Sequence, residues 1–311
     1  MSDTPDPTTG ARPARRVLVT GASGRIGTGV VRSLTDAGDT VVALDRAGTP
    51  DPSGPSGGER LDGVERIEGD ATDRAVVVRA LDGVDAVVHL AAIPHPSLDT
   101  PFAVYAQNVV GTWAVLTAAV EAGIRRVVAA SSINALGIPF NPHRPLPPYF
   151  PLDEDVPPDL ADAYSLSKRS GELAAETAAR AWGLSVVSFR FPLTADADAL
   201  RHASARTTEA PETAVREGWS YLDVRDAGAA CRAALESTHP DLDGRAVALH
   251  LGAEDTLIDA PTAALLDRWA PDVPRRRPLP GRAALVDTGR ARRLIGFRPV
   301  HSVHSEHTAD L

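Results

Sequence analysis

Tyr164-Ser165-Leu166-Ser167-Lys168 puts a phenol and an ammonium at positions i and i+4. On a helix those two side chains share one face. An ammonium close to a phenol favours the phenolate and lowers the phenol pKa. Tyr164 is then suited to exchange a proton with a hydroxyl or carbonyl oxygen while a hydride moves at the adjoining carbon. Upstream, Ser131 and Ser132 close an apolar run, 126–130, that reads as a strand. Open α/β sheets gather their reactive groups at such strand ends, and a serine hydroxyl there can hold a substrate oxygen. Tyr-x-x-x-Lys alone is a frequent accident. Joined to the serine pair and to the glycine turn described next, it points to one site.

The elements that must position these groups begin near the N-terminus. The apolar run 17–20 ends in Gly21-Ala22-Ser23-Gly24-Arg25-Ile26-Gly27, a helix pattern follows over 25–37 with Gly38 as its cap, and a β-branched run covers 40–44. Strand, helix, strand is the repeating unit of a parallel sheet. In such a turn Gly21 permits the tight bend, Gly24 lets backbone reach a pyrophosphate, and Gly27 lets the helix pack on the strand. The helix N-terminus adds N–H donors and the positive end of its dipole. Ser23, Arg25 and Ile26 fill the same turn and join the glycines as candidate dinucleotide-binding residues. Asp45, at the end of the second strand, can accept both ribose hydroxyls and repels a 2′-phosphate, which favours NAD over NADP. Arg25 and Arg46 partly offset that repulsion. Asp70, in Gly69-Asp70-Ala71, offers a carboxylate near the expected adenine; the other reading is a helix N-cap.

Further strands are predicted over 64–68, 86–90, 126–130 and 185–190, with helices over 74–81, 101–122 and 161–182. The strands read as continuous apolar runs, as strands buried on both faces do. The proline-rich stretch 139–158 is an irregular loop over the site, and 48–63, rich in Pro, Gly and Ser, is a surface loop. After Pro192 the alternation loosens. Residues 195–216, 226–236 and 261–269 read as helical, and 219–224 and 246–251 as strand-like. The expected architecture is therefore α/β. Residues 1–14 form a disordered tail. Residues 15–192 form a doubly wound parallel sheet carrying the nucleotide site and the catalytic residues. Residues 193–311 form a small substrate-binding cap interleaved with the last sheet elements.

Composition excludes several classes. The chain has 311 residues, 43% of them hydrophobic, and a net charge of -9. That charge argues against nucleic acid as a partner, which needs a basic face. With Cys231 as the single cysteine there is no internal disulfide and no cysteine metal cluster, and Cys231 reads as a small buried hydrophobe. His301, His304 and His307 lie three apart near the end and read as a solvated tail, so no metal is expected. No stretch approaches the roughly 20 apolar residues of a membrane span. Residues 1–13 lack the apolar segment of a signal peptide, so the expected location is the cytoplasm.

These motifs together resemble the extended short-chain dehydrogenase/reductases, the NAD-dependent epimerase/dehydratase family, whose domain is of Rossmann type. The resemblance rests on Thr20 to Gly27, Gly69-Asp70, His89-Leu90-Ala91-Ala92, Asn108 with Gly111-Thr112, Ser131-Ser132, Tyr164 to Lys168 and Asp223-Val224-Arg225-Asp226. The closing Leu294-Ile295-Gly296-Phe297-Arg298-Pro299 fits as well. It implies that Ser132 and Tyr164 contact the reacting oxygen and that Lys168 also binds the nicotinamide ribose. It places Ala71, Leu90, Ala91 and Ala92 along the cofactor. It matches Asn108 to a helix asparagine that shapes a proton relay and also faces the cofactor; the alternative is an ordinary polar helix residue. It further implies a homodimer packed through helices 101–122 and 161–182.

Departures from the family pattern narrow the chemistry. The dehydratases carry an Asp-Glu pair where this chain has Ile133-Asn134, and neither residue can protonate a leaving hydroxyl. Nucleotide-sugar epimerases carry an asparagine in the run that here reads Arg190-Phe191-Pro192-Leu193-Thr194, and an arginine where Trp219 stands. Arg277 aligns with a diphosphate-binding arginine, with Arg216 and Arg282 as stand-ins, or the run 275–277 is a solvated basic stretch. The stretch Ser131 to Gly137 is similar to the uronate dehydrogenases, which oxidise free sugar acids with NAD. Asn134, His95 and Arg190 are candidate substrate contacts beside Ser132. The resulting expectation is an NAD-dependent oxidoreductase acting on a carbinol of a sugar, sugar acid or polyol. A nucleotide-sugar epimerase with tightly held NAD is the alternative. A third reading, a protein that binds NAD without turnover, is opposed by the intact Tyr164/Lys168 pair.

Overall fold

The β-branched and apolar runs become seven strands of one parallel sheet in a computed structural model that describes residues 13–50 and 62–305. They are β1 (Arg16–Thr20), β2 (Thr40–Asp45), β3 (Val64–Glu68), β4 (Ala86–His89), β5 (Arg126–Ser132), β6 (Ser185–Phe191) and β9 (Ala246–His250), in the spatial order β3-β2-β1-β4-β5-β6-β9. Their registers place Thr20 beside Leu44 and His89, and Ser131 beside Arg190. The order reverses between β1 and β4. In a doubly wound sheet the crevice beyond that reversal receives the ligand. The tail 1–12, most of the loop 48–63 and His307 lie outside the described residues.

Helices cover both faces. On one face α2 (Arg74–Ala80), α3 (Pro101–Glu121) and α4 (Ala163–Trp182) bury Val77, Val115, Ala119 and Ala178 against Val42, Val87 and Val127. On the other, α1 (Arg25–Asp36) and α6 (Val224–Glu236) bury Val30, Val31, Leu34, Ala227, Ala230 and Cys231 against Val17, Val19 and Phe189. By length and composition α3 is apolar enough to cross a membrane, with a mean hydropathy of 1.3, contrary to the expectation that no stretch approaches that length. Here it lies along α4 and the sheet, and its buried residues include Val104, Val115 and Leu116.

Beyond the sheet the chain builds a third core. Residues of the loop 133–156 pack with Leu200, Trp219, Tyr221, Leu266, Leu285 and Val286. The region holds a two-stranded parallel pair, β7 (Leu193–Ala195) with β8 (Tyr221–Asp223), which the hydrophobic pattern does not foretell at this length. The single helix expected over 195–216 is instead α5 (Ala197–Glu209) followed by two short 3-10 turns. Pro211 explains the break, because it disfavours helical backbone at Ala210 and cannot donate a hydrogen bond. After α7 (Thr262–Trp269) comes α8 (Gly289–Ile295), a short helix that the sequence reading omits. From the C-terminal third, β9 joins the sheet and α6 and α8 pack on it, α8 burying Ala291 and Leu294 in the same core as α1.

The final stretch is not a solvated tail. Asp226 on α6 accepts the amides of Val300 and His301 and lies 2.9 Å from His301 Nδ1. Ser302 donates to Asp255, the Val303 amide donates to the Tyr221 hydroxyl, and His304 Nε2 lies 2.7 Å from the Thr256 carbonyl oxygen. Residues 300–304 thus strap the third core to the sheet domain.

Helices α1 and α6 approach so closely that glycine is required between them. A Cβ on Gly228 would stand 2.5 Å from the Gly29 carbonyl oxygen and 2.9 Å from Ser33 Cβ. Gly228→Val is expected to destabilise the fold by about 1–3 kcal/mol through overpacking. Urea unfolding followed by circular dichroism checks this, and an unchanged midpoint would show that the two helices separate without cost.

Candidate active site

The nucleotide end of the site is set by the turn between β1 and α1. Gly21 has φ +69°, and a Cβ there would lie 2.7 Å from the Ala91 amide, so the β1 and β4 loops touch through it. A Cβ on Gly27 would overlap the Gly21 carbonyl oxygen at 2.2 Å. Both positions therefore exclude a side chain. α1 opens at Gly24 with no side-chain cap and no acid in its first turn. The Ser23 hydroxyl beside that helix start is buried without a partner. An orphan donor at an uncapped helix start suits an anionic group. Arg25 and Ile26 open the helix.

Asp45 ends β2 at the same turn. One carboxylate oxygen accepts the Ser23 amide at 2.8 Å and the other accepts the Arg46 amide at 2.8 Å, which orients the group and leaves acceptor capacity for hydroxyls. Asp70 is not the N-cap of α2; Asp73 is, accepting from Ala75 and Val76. The Asp70 carboxylate accepts from the Thr72 amide and hydroxyl and from Gln107. Burial raises its pKa, but these hydrogen bonds outweigh burial and hold it below the usual carboxylate range. Ala71 is buried beside it, and Leu90, Ala91 and Ala92 form the half-buried loop leaving β4. The residues present thus fit a dinucleotide.

The catalytic end lies beyond the adjacent strands β4 and β5. Asp162 caps α4 by accepting the Ser165 amide at 2.8 Å, and this fixes the first turn that carries Tyr164. Lys168 follows one turn later and donates from Nζ to the Ala130 carbonyl on β5 at 2.9 Å. Ser132 ends β5, and its Oγ accepts the Asn134 amide at 3.1 Å and Asn134 Nδ2 at 3.2 Å. Asn134 thus orients the serine hydroxyl, while its own Oδ1 is buried without a partner. Asn108 bridges the β4 loop to α4. It accepts the Ile93 amide at 2.7 Å and donates to the Ile93 carbonyl and the Ser167 hydroxyl. His89 is buried between Thr20 and Thr112.

The phenol differs from the expectation. Tyr164 is 6% exposed, and burial pushes its pKa up to about 12. A hydrogen bond with Ser132 opposes this rise, and the Asp162 charge adds to it. Lys168 does not offset burial, because its ammonium points at Ala130 and stands 5.6 Å from the ring centroid. Burial also lowers Lys168 to about 8, opposed by Glu172. Phe140 covers the phenol edge-on with centroids 5.8 Å apart, and the exposed His95 packs on Phe140 at 4.6 Å. His95 therefore approaches Tyr164 by way of Phe140. Arg190 is 5% exposed and is held by Glu172 through Nε at 2.9 Å and a second nitrogen at 3.0 Å. Its expected contact with substrate is replaced by a buried ion pair.

Sequence reasoning missed Glu172, although Tyr164, Lys168 and Glu172 are spaced four apart along α4. It also missed a signal in composition. Lys168 is the single lysine of the chain, and every other basic residue among the 32 is arginine. Arginine cannot lose its proton in proteins, so a lone lysine marks a position where a titratable amine is needed.

The profile of the NAD-dependent epimerase/dehydratase family matches residues 17–247. An NAD-dependent glucose-6-phosphate dehydrogenase of Haloferax volcanii is 35% identical over 166 residues, which is 50% of this chain and 60% of that protein. The chain thus matches less than two thirds of that relative's length. Cinnamoyl-CoA reductase 1 of Petunia hybrida is 30% identical over 83% of this chain and 78% of its own length. An L-arabinose 1-dehydrogenase (NAD(P)(+)) of Haloferax volcanii is 30% identical over 73% and 84%. Among solved structures, a short-chain dehydrogenase/reductase superfamily protein of Agrobacterium tumefaciens with bound NAD is 27% identical, with a TM-score of 0.66 over 93% of both chains.

Proposed function

The chain belongs to the NAD-dependent epimerase/dehydratase family, and from that membership we propose that it is an NAD-dependent oxidoreductase acting on a carbinol of a sugar, sugar acid or related polyol. The observation that carries the reading is the convergence of Tyr164, Ser132 and Lys168 at the end of β5, on the same sheet edge as the uncapped glycine turn. NAD, when bound, supplies the acceptor or donor of the hydride exchanged with the carbinol carbon. The amides opening α1, the Ser23 hydroxyl, Asp45, Asp70 with Ala71, the 90–92 loop and Lys168 hold it. The sugar relatives support the substrate class.

The residues of this chain then manage one proton and one oxygen. Ser132, oriented by Asn134, donates to the substrate oxygen and holds it beside the Tyr164 phenol. Tyr164 takes the carbinol proton in oxidation and returns it in reduction. Its pKa, raised by burial to about 12, keeps it a phenol in the empty site. Lys168 supplies fixed positive charge, and Asn108 keeps α4 and the β4 loop in register. Asn134 Oδ1, buried without a partner, and His95 are the groups proposed for substrate hydroxyls. An epimerase would use the same three residues in both directions, so these residues serve either chemistry.

A homodimer through α3 and α4 is part of the proposal. Phe102 is 82% exposed, and Val110, Trp113, Leu166, Leu173 and Trp182 are also exposed on these helices. The Trp113 and Trp182 rings stand 5.8 Å apart. Contiguous exposed apolar surface of this kind marks an interaction site.

Four outcomes test the proposal. Tyr164→Phe is expected to leave NAD binding nearly intact and to lower turnover at least ~100-fold, as loss of a proton-transfer group does. Stopped assays against free sugars, sugar acids, sugar phosphates and nucleotide sugars check it, and wild-type turnover by the variant would remove Tyr164 from the chemistry. NAD released on denaturing the purified protein separates the two uses: near-stoichiometric NAD favours the epimerase. Asp45→Ala is expected to weaken NAD and relax discrimination against NADP, read from the two dissociation constants; an unchanged ratio takes Asp45 off the ribose. Trp113→Glu is expected to shift a dimer to monomer in light scattering, whereas a wild-type chain that is already monomeric disproves the interface.

A further inference from the structure

Glu172 is a buried charge that the proton-transfer reading leaves without a task. It lies on α4 one turn beyond Lys168 and is 3% exposed. One carboxylate oxygen accepts from Ser131 Oγ at 2.7 Å and from Arg190 Nε at 2.9 Å. The other accepts from a second Arg190 nitrogen at 3.0 Å and from Arg169 at 2.8 Å. Ser131 and Arg190 are register partners on β5 and β6, so this carboxylate joins α4 to two strands at once. The neighbour of Ser131 on β5 is Ala130, whose carbonyl receives the Lys168 ammonium. A small polar cavity has Lys168, Glu172, Asn108, Ser131 and Ser167 on its wall.

The groups around Lys168 leave its charge with one anionic counterpart. On α4 itself Tyr164 is a phenol, and Asp162, at the helix start, bears on that phenol. On β4 His89 is neutral, pushed down to about 3 by burial and by the Lys168 charge. On β5 the ammonium meets the Ala130 carbonyl, which is uncharged. On β6 Arg190 is a cation matched to Glu172, and behind it on β9 His250 is neutral, pushed to about 3 by burial. On α3 Asn108 and Thr112 are uncharged. Among the described residues Glu172 is the carboxylate whose charge bears on Lys168, and it acts against the burial that lowers the amine.

We propose that Glu172 is a positioning residue that keeps Lys168 charged and seated on the Ala130 carbonyl, with Ser131 and Arg190 fixing the carboxylate in place. The inference rests on the reading that Lys168 works with Tyr164. A buried amine without a counter-charge sheds its proton. It would then offer neither fixed positive charge to the phenol nor a strong hydrogen bond to β5. Glu172 thereby sets the pH range over which the site is assembled.

The single lysine makes the test direct. Protein grown with lysine carrying 13C at Cε gives one side-chain signal, that of Lys168, and its shift against pH gives the midpoint of that amine without any substrate. The wild-type midpoint is expected near 8. Glu172→Gln is expected to lower it by about one pH unit or more, because the opposing charge is gone, while Glu172→Asp stays within ~0.3 unit of wild type. A Glu172→Gln midpoint within ~0.3 unit of wild type overturns the inference. If Glu172→Gln leaves Arg190 unpaired and does not fold, the double variant Glu172→Gln/Arg190→Gln removes both charges and takes its place. Its midpoint is read against that of Arg190→Gln, which also lacks the guanidinium: a lower midpoint in the double variant is expected, and equal midpoints in the two are fatal. Failure of the catalytic reading shows separately, as an active Tyr164→Phe enzyme, whatever the lysine signal does.

Discussion

A lysine ammonium shut away from water is the constraint around which this site is organised. Lys168 is 8% exposed, and a bare ammonium in such surroundings is costly. It is tolerated because a strand-end carbonyl and a carboxylate one turn away both compensate it. Each compensator imposes a demand. The Ala130 carbonyl must be open to the amine, and Ala130 lies just past the last β4 partner, where β5 pairs with β6 alone. Glu172 must itself be satisfied, which recruits Ser131 and Arg190 from two strands and Arg169 from its own helix. The position of α4 over the sheet follows from these polar contacts as well as from its alanines.

The nucleotide half of the site follows from a different constraint, the close passage of backbone against backbone. The β1 turn, the β4 loop and the start of α1 converge where side chains have no room, and the released space and donors are what a diphosphate needs. Thr20, His89 and Thr112 form a buried hydrogen-bonded line behind this convergence, linking β1 and β4 to α3. His89 serves there as an uncharged connector, its pKa pushed down by burial first and by the Lys168 charge second.

Much of this was readable from residue order, and the limits have physical causes. The strands of the main sheet announce themselves because a strand buried on both faces is a continuous apolar run, as at Val127 to Ala130 and Val186 to Phe189. The glycine turn and the Tyr164/Lys168 pair are local, so spacing alone brings them together. Arg190 was misplaced because its alignment says where the backbone lies, whereas the direction of its guanidinium depends on Glu172, eighteen residues earlier in the chain. The tyrosine pKa was misjudged for the same reason. Adjacency to Lys168 is legible, but the depth of burial and the rival carbonyl are tertiary facts. The pair β7–β8 and the helix α8 are too short to carry a periodic signal, and their stability comes from neighbours.

The strap at residues 300–304 has a mechanical meaning. Its contacts run to Asp226 on the sheet domain and to Tyr221, Asp255 and Thr256 of the third core, so one short segment spans the seam between them. A cap pinned on its far side cannot swing away as a rigid body without breaking several hydrogen bonds together. Access to Tyr164 is then governed by small displacements near Phe140 and His95, the aromatic pair standing over the phenol, rather than by wholesale opening of two lobes.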